Sequence, residues 1–183
     1  MNLTRTTSTY TTLAAAVAIT LTLSGCGSNA PKKKEYAAPQ QLCGVAVTKD
    51  LVEPILPPGK KIEMKESGNV GSVECEVFID GKPVMEARLE WFQGDQTVVG
   101  ISRSEWKSII EDTNADQTFG YSDRGGSILV KCPNPSLAHR KSMRFFGTIV
   151  LYDEMKRNKS DVKALVTAYG KEASKAEECG GRK

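Results

Sequence analysis

Residues 73–92 read VECEVFIDGKPVMEARLEWF. Apolar and polar residues alternate over 73–79 and again over 84–92, and Asp80-Gly81 stands between the two runs. Alternation with a period of two predicts half-buried strands, and Asp-Gly between two such strands predicts a hairpin turn. The stretch therefore predicts two neighbouring strands of an antiparallel sheet.

The register of this hairpin follows from its apolar residues. A plain two-residue Asp80-Gly81 loop would pair Ile79 with Lys82 and would turn the apolar faces of the two strands to opposite sides of the sheet. Pairing Ile79 with Pro83 brings both apolar faces to the same side, so we predict a three-residue loop or a β-bulge. The resulting pairs are Val77–Met85, Cys75–Ala87, Val73–Leu89, Glu74–Arg88 and Glu76–Glu86.

The clearest helix is predicted near the C-terminus. Ser160 is its predicted N-cap, and Gly180-Gly181 its predicted end. The apolar residues of this segment form one stripe at helical spacing: Val162, Leu165, Val166, Tyr169, Ala173 and Ala176. Strands followed by a long amphipathic helix predict an α+β fold, with an antiparallel sheet of about four to six strands, the helix packed on one face, and two disulfides.

The other segments give weaker signals, and their predicted elements complete this fold. They are a helical turn over 49–53, an extended or looped segment over 60–71, strands over 97–102, 127–131 and 144–152, a short helix over 104–112 and a loop over 114–126. The connection 133–143 is long, contains proline and is basic.

The first 25 residues have the organisation of an export signal. Arg5 is the single charge of this segment, and residues 13–23, LAAAVAITLTL, form an apolar run too short to cross a bilayer as a helix. Leu23-Ser24-Gly25-Cys26 resembles a bacterial lipobox, in which the cysteine carries a diacylglyceryl group and becomes the first mature residue. A plain signal peptide cut before an ordinary cysteine is the alternative.

These features predict three regions and a location. We predict a lipoprotein signal peptide over 1–25, a lipidated Cys26 with a flexible tether over 26–41, and a single α+β extracytoplasmic domain over 42–183. Two acyl chains are enough for stable anchoring. The protein is therefore expected on the extracytoplasmic face of the cell membrane, with the membrane as a partner through the lipid on Cys26.

Four cysteines remain besides Cys26, and an even number in an exported chain predicts two disulfides. Four cysteines allow three connectivities. We favour Cys43–Cys75 with Cys132–Cys179, because each pair then joins a peripheral segment to a central strand. A zinc site is the competing interpretation, but the chain has no C-x-x-C and one histidine, so we predict no metal and no cofactor.

The charge balance is close to neutral. The net charge is +3, and removal of the predicted signal with Arg5 leaves +2. This balance lacks the strongly basic character of a nucleic-acid-binding domain, so we expect no nucleic-acid partner.

The chain resembles the small cell-envelope lipoproteins of unknown function that are common in actinobacteria. The residues that carry this resemblance are Leu23-Ser24-Gly25-Cys26, Leu42-Cys43-Gly44, Leu56-Pro57-Pro58-Gly59, Cys75, Asp80-Gly81, Val130-Lys131-Cys132-Pro133 and Glu178-Cys179-Gly180. The resemblance implies an extracytoplasmic lipoprotein with two disulfides and no assigned activity. It implies no functional residues.

Recognisable catalytic motifs are missing from the sequence. There is no G-x-S-x-G, H-E-x-x-H, P-loop or G-x-G-x-x-G, and His139 is the single histidine. We therefore predict that the protein is not an enzyme.

Two charged clusters are candidate sites. The first is the face of the predicted hairpin that carries Glu74, Glu76, Glu86 and Glu90 with Arg88 among them. Paired carboxylates could act as a glycosidase acid and base or hold a cation, or the face could simply be solvated. The second is a possible anion or lipid-headgroup patch, with solubility as the alternative interpretation. Its members are Lys131, His139, Arg140, Lys141 and Arg144.

The sequence thus favours a membrane-anchored binding or accessory module of the cell envelope. Its partner is expected to be an envelope protein or a small-molecule ligand. The alternatives are a hydrolase of envelope glycans or peptides that uses the carboxylates of the 73–92 hairpin, and a purely structural role.

Overall fold

The computed structural model describes residues 33–105, 110–133, 135, 137–152 and 157–179. The chain divides into two compact units, 1–31 and 32–183, and all described residues belong to the second. The predicted signal peptide, the lipobox with Cys26 and the predicted helix end at 180–181 lie outside the described residues. Within those residues, no helix is long and apolar enough to span a membrane.

Most described residues belong to regular elements. The strands are β1 (Gln41–Leu42), β2 (Val45–Ala46), β3 (Ile62–Asn69), β4 (Ser72–Ile79), β5 (Lys82–Gln93), β6 (Asp112–Thr113), β7 (Phe119–Ser122), β8 (Gly125–Val130) and β9 (Met143–Leu151). The α-helices are α1 (Lys49–Val52), α2 (Val98–Glu105) and α3 (Lys159–Ala173), and 3₁₀ turns cover Ala138–Ser142 and Glu177–Cys179.

One antiparallel sheet organises the domain. Its strand order is β3-β4-β5-β9-β8-β7-β6, and β1 and β2 form a separate small hairpin. The α+β fold predicted from the sequence is confirmed, with seven strands in the sheet instead of four to six. The extended segment predicted over 60–71 is the edge strand β3.

The β4–β5 hairpin has the predicted pairing over most of its length. Val77 lies opposite Met85, and the pairs toward the open end of the hairpin follow the predicted register. The turn is nevertheless a two-residue Asp80-Gly81 loop, in which both residues have positive φ. The extra residue is taken up by a register shift between Val77 and Phe78, so the predicted bulge is present inside the strand and not at the turn.

Helix α3 packs on one face of the sheet, which we call the α3 face. Its side chains Val162, Leu165, Val166, Tyr169 and Ala173 are buried, as the apolar stripe predicted. The N-cap is Asn158 and not Ser160: the Asn158 side chain accepts a hydrogen bond from the Ser160 backbone N–H at 2.9 Å. The helix ends at Ala173, so the stripe stops before Ala176.

Helix α2 covers part of the opposite face, which we call the α2 face. Its Val98 and Ile101 pack with Phe146 and Val150 of β9. The strand predicted over 97–102 is therefore wrong. Two apolar residues three positions apart match a helix better than a strand, and the Thr97 hydroxyl accepts a hydrogen bond from the Gly100 N–H at 3.2 Å, as at a helix start.

Two further predictions on this side of the sheet are wrong. In place of the helix predicted over 104–112, α2 ends at Glu105 and 112–113 form β6. Residues 106–109 lie outside the described residues. The loop predicted over 114–126 contains β7 and the start of β8. Its glycines are packing positions: a Cβ on Gly120 would lie 2.7 Å from Ile110, and one on Gly126 would lie 3.0 Å from Val166.

Both predicted disulfides are confirmed. Cys43, in the turn of the β1–β2 hairpin, is bonded to Cys75 of β4, with 5.4 Å between their Cα atoms. Cys132, just after β8, is bonded to Cys179 beyond the end of α3, with 4.6 Å between Cα atoms. Each disulfide thus joins a peripheral segment to the sheet, as the sequence argument required.

The tether predicted as flexible over 26–41 is held against the domain from Lys34 onward. Lys34 forms a parallel bridge with Gly59, and the Glu35 N–H donates to the Gly59 carbonyl at 2.8 Å. The Tyr36 hydroxyl donates to the Pro57 carbonyl. Burial raises the pKa of Tyr36 to about 12, so this hydroxyl keeps its proton at neutral pH.

Candidate functional site

The predicted basic residues gather where β8 leaves the sheet and β9 enters it. The 3₁₀ turn Ala138–Ser142 stands immediately before β9, and Lys131 follows the last residue of β8. A chain returning to the neighbouring antiparallel strand must bring these two ends together. We call the resulting group the basic site; its members are Lys131, His139, Arg140, Lys141 and Arg144.

Arg140 is the buried member of the basic site. Only 7% of its surface is exposed, and its guanidinium carbon lies 5.3 Å from the centre of the Trp91 ring. Trp91 in turn stacks on Phe145 with 4.6 Å between ring centres. Because a guanidinium is attracted to an aromatic face, these two rings hold Arg140 in one place, with an attraction of about 0.5–2 kcal/mol.

The polar groups of this stack lack protein partners. In the described ranges, no carboxylate lies within ion-pair distance of the Arg140 guanidinium. The indole Nε1–H of Trp91 is buried and has no acceptor among the same residues. Buried donors in proteins are normally satisfied, so the unpaired indole N–H marks this stack as a candidate site, and the Arg140 guanidinium is the group available to a ligand.

Three small cavities surround Arg140. Their volumes are about 210, 110 and 190 Å³, and Arg140 lines each of them. The second is also lined by His139, and the third by Lys131, Lys141 and Arg144. The structure therefore places all five predicted basic residues along connected surface, against one acidic lining residue, Glu90.

Arg144 differs from the others in having part of its donor set occupied. Its Nη1 donates to the Gln96 carbonyl at 2.7 Å, and its guanidinium carbon lies 5.7 Å from the centre of the Phe146 ring. It can still contribute its charge to a bound anion. The three remaining exposed or half-exposed side chains, Lys131, His139 and Lys141, stand around the buried Arg140.

The predicted acidic face is arranged around Arg88. Its Nη2 lies 2.8 Å from Glu74 Oε2 and 2.7 Å from Glu86 Oε1, and its Nη1 lies 3.6 Å from Glu90 Oε2. The Tyr152 hydroxyl donates to the other oxygen of Glu86. We call these four charged residues, Glu74, Glu86, Arg88 and Glu90, the Glu–Arg cluster; Glu76 lies beside it, opposite Glu86.

Burial and ion pairing set the electrostatics of the cluster. Burial raises the pKa of the Glu86 carboxyl, and the nearby Arg88 charge offsets only part of this effect. Burial disfavours the charge of Arg88, but the carboxylates of Glu86, Glu74 and Glu90 raise its pKa above the ordinary value. Glu86 is only 4% exposed, so its carboxylate is hidden beneath its neighbours and not presented to a substrate.

Other candidate features of the domain contain none of the predicted site residues. A cavity of about 680 Å³ lies at the turn end of the β4–β5 hairpin, between Pro57-Pro58 and Pro83-Val84. Metal binding finds no support in the part of the chain that is described, where no three His, Cys, Asp or Glu side chains come together at a suitable distance.

Sequence reasoning did not identify Trp91 as part of the basic site. It was interpreted as a core residue, and at 8% exposure it is one. Its contact with Arg140 depends on where a 3₁₀ turn distant in sequence settles on the sheet, and no local pattern encodes that.

Comparison of the chain with protein-family models, with curated proteins and with solved structures found no match. Arguments about function therefore begin from the residues and the geometry above.

Proposed function

We propose that this protein is a lipid-anchored module on the extracytoplasmic face of the cell membrane, and that it binds an anionic ligand at the basic site. The lipobox-like Leu23-Ser24-Gly25-Cys26 and the two disulfides support the location. The resemblance to actinobacterial envelope lipoproteins belongs to the same proposal. The protein is proposed to act by binding and not by catalysis.

One observation carries the binding proposal: a buried arginine without a carboxylate partner in the described residues. Arg140 is 7% exposed as a residue and has no ion pair in the described residues, so a guanidinium held against the Trp91 ring keeps its donors available for an anion. A phosphate or carboxylate group would supply that anion and could accept two parallel hydrogen bonds from Arg140. The stack on Trp91 holds the guanidinium in position before binding, which lowers the entropy cost.

The surrounding cations favour an oxyanion over a neutral polar group as the ligand. Lys131, Lys141 and Arg144 line the same cavity as Arg140, so a bound oxyanion would meet several positive charges at once. The shared chemistry is a phosphate or carboxylate group, borne by a soluble metabolite, an envelope polymer or a lipid headgroup.

The test is a titration with inorganic phosphate, followed by NMR of the Trp91 indole N–H. The protein would be prepared as residues 32–183, the second compact unit of the chain, so that it carries neither the lipid nor the predicted signal peptide. We expect the Trp91 signal to shift with an apparent Kd of about millimolar, and Arg140→Gln to weaken binding by at least about tenfold. Binding should also weaken as salt concentration rises.

The matched control is Arg103→Gln, which removes the same charge from an exposed arginine of α2. Arg140→Gln could also lower stability through its lost contact with Trp91, so Lys141→Gln, an exposed change in the same cavity, provides a second measurement. If the Trp91 signal is insensitive to phosphate, or if Arg103→Gln weakens binding as much as Arg140→Gln, the proposed function is wrong.

The hydrolase alternative stays a prediction from the sequence. Its carboxylates exist on one face as predicted, but Arg88 engages three of them. The raised pKa of Glu86 is of the kind that a general acid needs, but the burial of this carboxyl keeps it away from a substrate.

A further inference from the structure

The end of the domain that holds the basic site also exposes apolar side chains. Val70 is 91% exposed, the most exposed of the large apolar residues in the described ranges, and Leu137 is 40% exposed. Val70 lines two of the three cavities around Arg140. The Leu137 carbonyl accepts the Arg140 backbone N–H at 3.0 Å.

The position of Val70 is unusual for a valine. It stands in the two-residue loop Val70-Gly71 between the paired residues Asn69 and Ser72 at the tip of the β3–β4 hairpin. Such tips normally carry Gly, Asn, Asp or Ser, which suit the backbone and the surrounding water. Val70 buries almost none of its surface in the domain, so the fold gains little from it.

Apolar tips beside a cluster of cations match the surface of an anionic bilayer. Phosphate groups lie at the level of the headgroups, and apolar side chains that reach a few ångströms deeper enter the acyl region. Cations of the basic site would meet the phosphates while Val70 and Leu137 lose contact with water. A soluble anion would use the cations and leave the apolar tips exposed.

We infer that the basic site, with Val70 and Leu137 at its edge, docks on the headgroups of an anionic lipid surface. This inference rests on the proposed function, because it identifies the source of the anion that Arg140 binds. It assigns a second membrane contact to the protein, separate from the lipid proposed on Cys26.

The experiment measures binding of residues 32–183, the second compact unit of the chain, to vesicles by flotation, so that neither a lipid nor the apolar run 13–23 contributes. Vesicles of phosphatidylglycerol mixed with phosphatidylcholine are compared with vesicles of phosphatidylcholine alone. We expect binding to the anionic vesicles only, and the double variant Val70→Ser/Leu137→Ser should lower it by at least about tenfold, because two apolar side chains no longer enter the acyl region. The same double variant should bind inorganic phosphate as the parent chain does.

The matched control is Met64→Ser, which removes an exposed apolar side chain from β3 that lines none of the three cavities. If the double variant floats with anionic vesicles as well as Met64→Ser does, or if neutral vesicles bind equally, the inference is wrong and the anion is a soluble one. Failure of the proposed function would look different, because Arg140→Gln would then change neither phosphate nor vesicle binding.

Discussion

At the scale of single residues, Arg88 and Arg140 represent two different uses of a partly buried arginine. Arg88 lies among carboxylates on the α2 face and forms ion pairs with three of them. Arg140 lies against an aromatic ring, with cations around it. The charge of the first arginine is balanced by carboxylates of the protein, whereas the second, in our proposal, attracts a negative charge from outside.

The Glu–Arg cluster should make stability depend on pH. Burial raises the pKa of Glu86 in the folded state, so folding favours its protonated form. The stabilisation that protonated Glu86 contributes to the folded state is fully present below the ordinary glutamate pKa of 4.5. It is lost as pH rises through the raised pKa of Glu86 in the folded state. We expect the free energy of unfolding of the parent chain, relative to Glu86→Gln, to fall as pH rises through this window.

Urea unfolding measured at a series of pH values, from about 4 to about 7, checks this expectation. Glu66→Gln is the matched control, because Glu66 is an exposed glutamate of the edge strand β3, and its difference from the parent should not follow this trend. The free energy of unfolding of the parent chain relative to Glu86→Gln could instead stay constant across this pH range or rise with pH. Either result would show that burial is not the main influence on the pKa of Glu86.

The candidate site was predictable from sequence in part. Four of its basic residues fall within 139–144 and Lys131 is close by, so their proximity follows from chain connectivity alone. The burial of Arg140 and its contact with Trp91 were not predictable, because they depend on how the 3₁₀ turn packs against β5. The apolar tip at Val70 was missed because 60–71 carries no alternation that would place a hairpin there.

At the scale of elements, prediction succeeded where a segment has one clear apolar face. The β4–β5 hairpin, β9 and α3 each alternate or repeat cleanly, and the structure has all three. The bounds of β9 lie within one residue of the prediction, whereas α3 ends at Ala173, seven residues before the predicted end at Gly180. Prediction failed for α2 and β7, whose sequences contain glycine where a side chain would signal the element. Gly120 and Gly126 look like loop residues, yet they allow neighbouring elements to approach closely.

Glycine has the same role inside α3, and this leads to a prediction at the element scale. Helix propensity alone would make Gly170→Ala stabilising by about 1 kcal/mol. A Cβ on Gly170 would, however, lie 2.5 Å from Ile128 Cγ2 of β8. Because overpacking costs about 1–3 kcal/mol, we expect Gly170→Ala to lower the free energy of unfolding despite the gain in propensity.

A double-mutant cycle with Ile128→Ala separates the two effects by chemical unfolding. In the Ile128→Ala background the clash is removed, and Gly170→Ala should then be neutral or stabilising. Equal destabilisation by Gly170→Ala in both backgrounds would mean that contact with Ile128 is not the reason for glycine at this position.

At the scale of the whole molecule, the two disulfides fasten the domain at different places. Cys43–Cys75 joins the β1–β2 hairpin to β4 and closes 32 residues of chain. Cys132–Cys179 joins the region beyond α3 to the end of β8 and closes 47 residues. Only the second lies beside the basic site, because Cys132 lines the same cavity as Lys131 and Arg140.

We therefore predict that the two disulfides contribute similarly to the stability of the domain and differently to phosphate binding. In the chain-entropy description, each loop of this size contributes about 4 kcal/mol to the free energy of unfolding. Replacing Cys43 and Cys75 by alanine, or Cys132 and Cys179 by alanine, should therefore lower stability to a similar extent. Phosphate binding at Trp91 should weaken in the Cys132→Ala/Cys179→Ala chain alone, because that chain loses the bond that holds one wall of the cavity.

Each double variant is the control for the other. Both are compared by urea unfolding, and the phosphate titration is done under conditions where the domain is folded. Intact mass, lower by two hydrogens for each disulfide, verifies which bond is present. Equal loss of phosphate binding in both chains would attribute the effect to general loosening of the domain. No loss in either would show that Arg140 and its aromatic stack, held by β5 and β9, keep the basic site in place without the covalent link to α3.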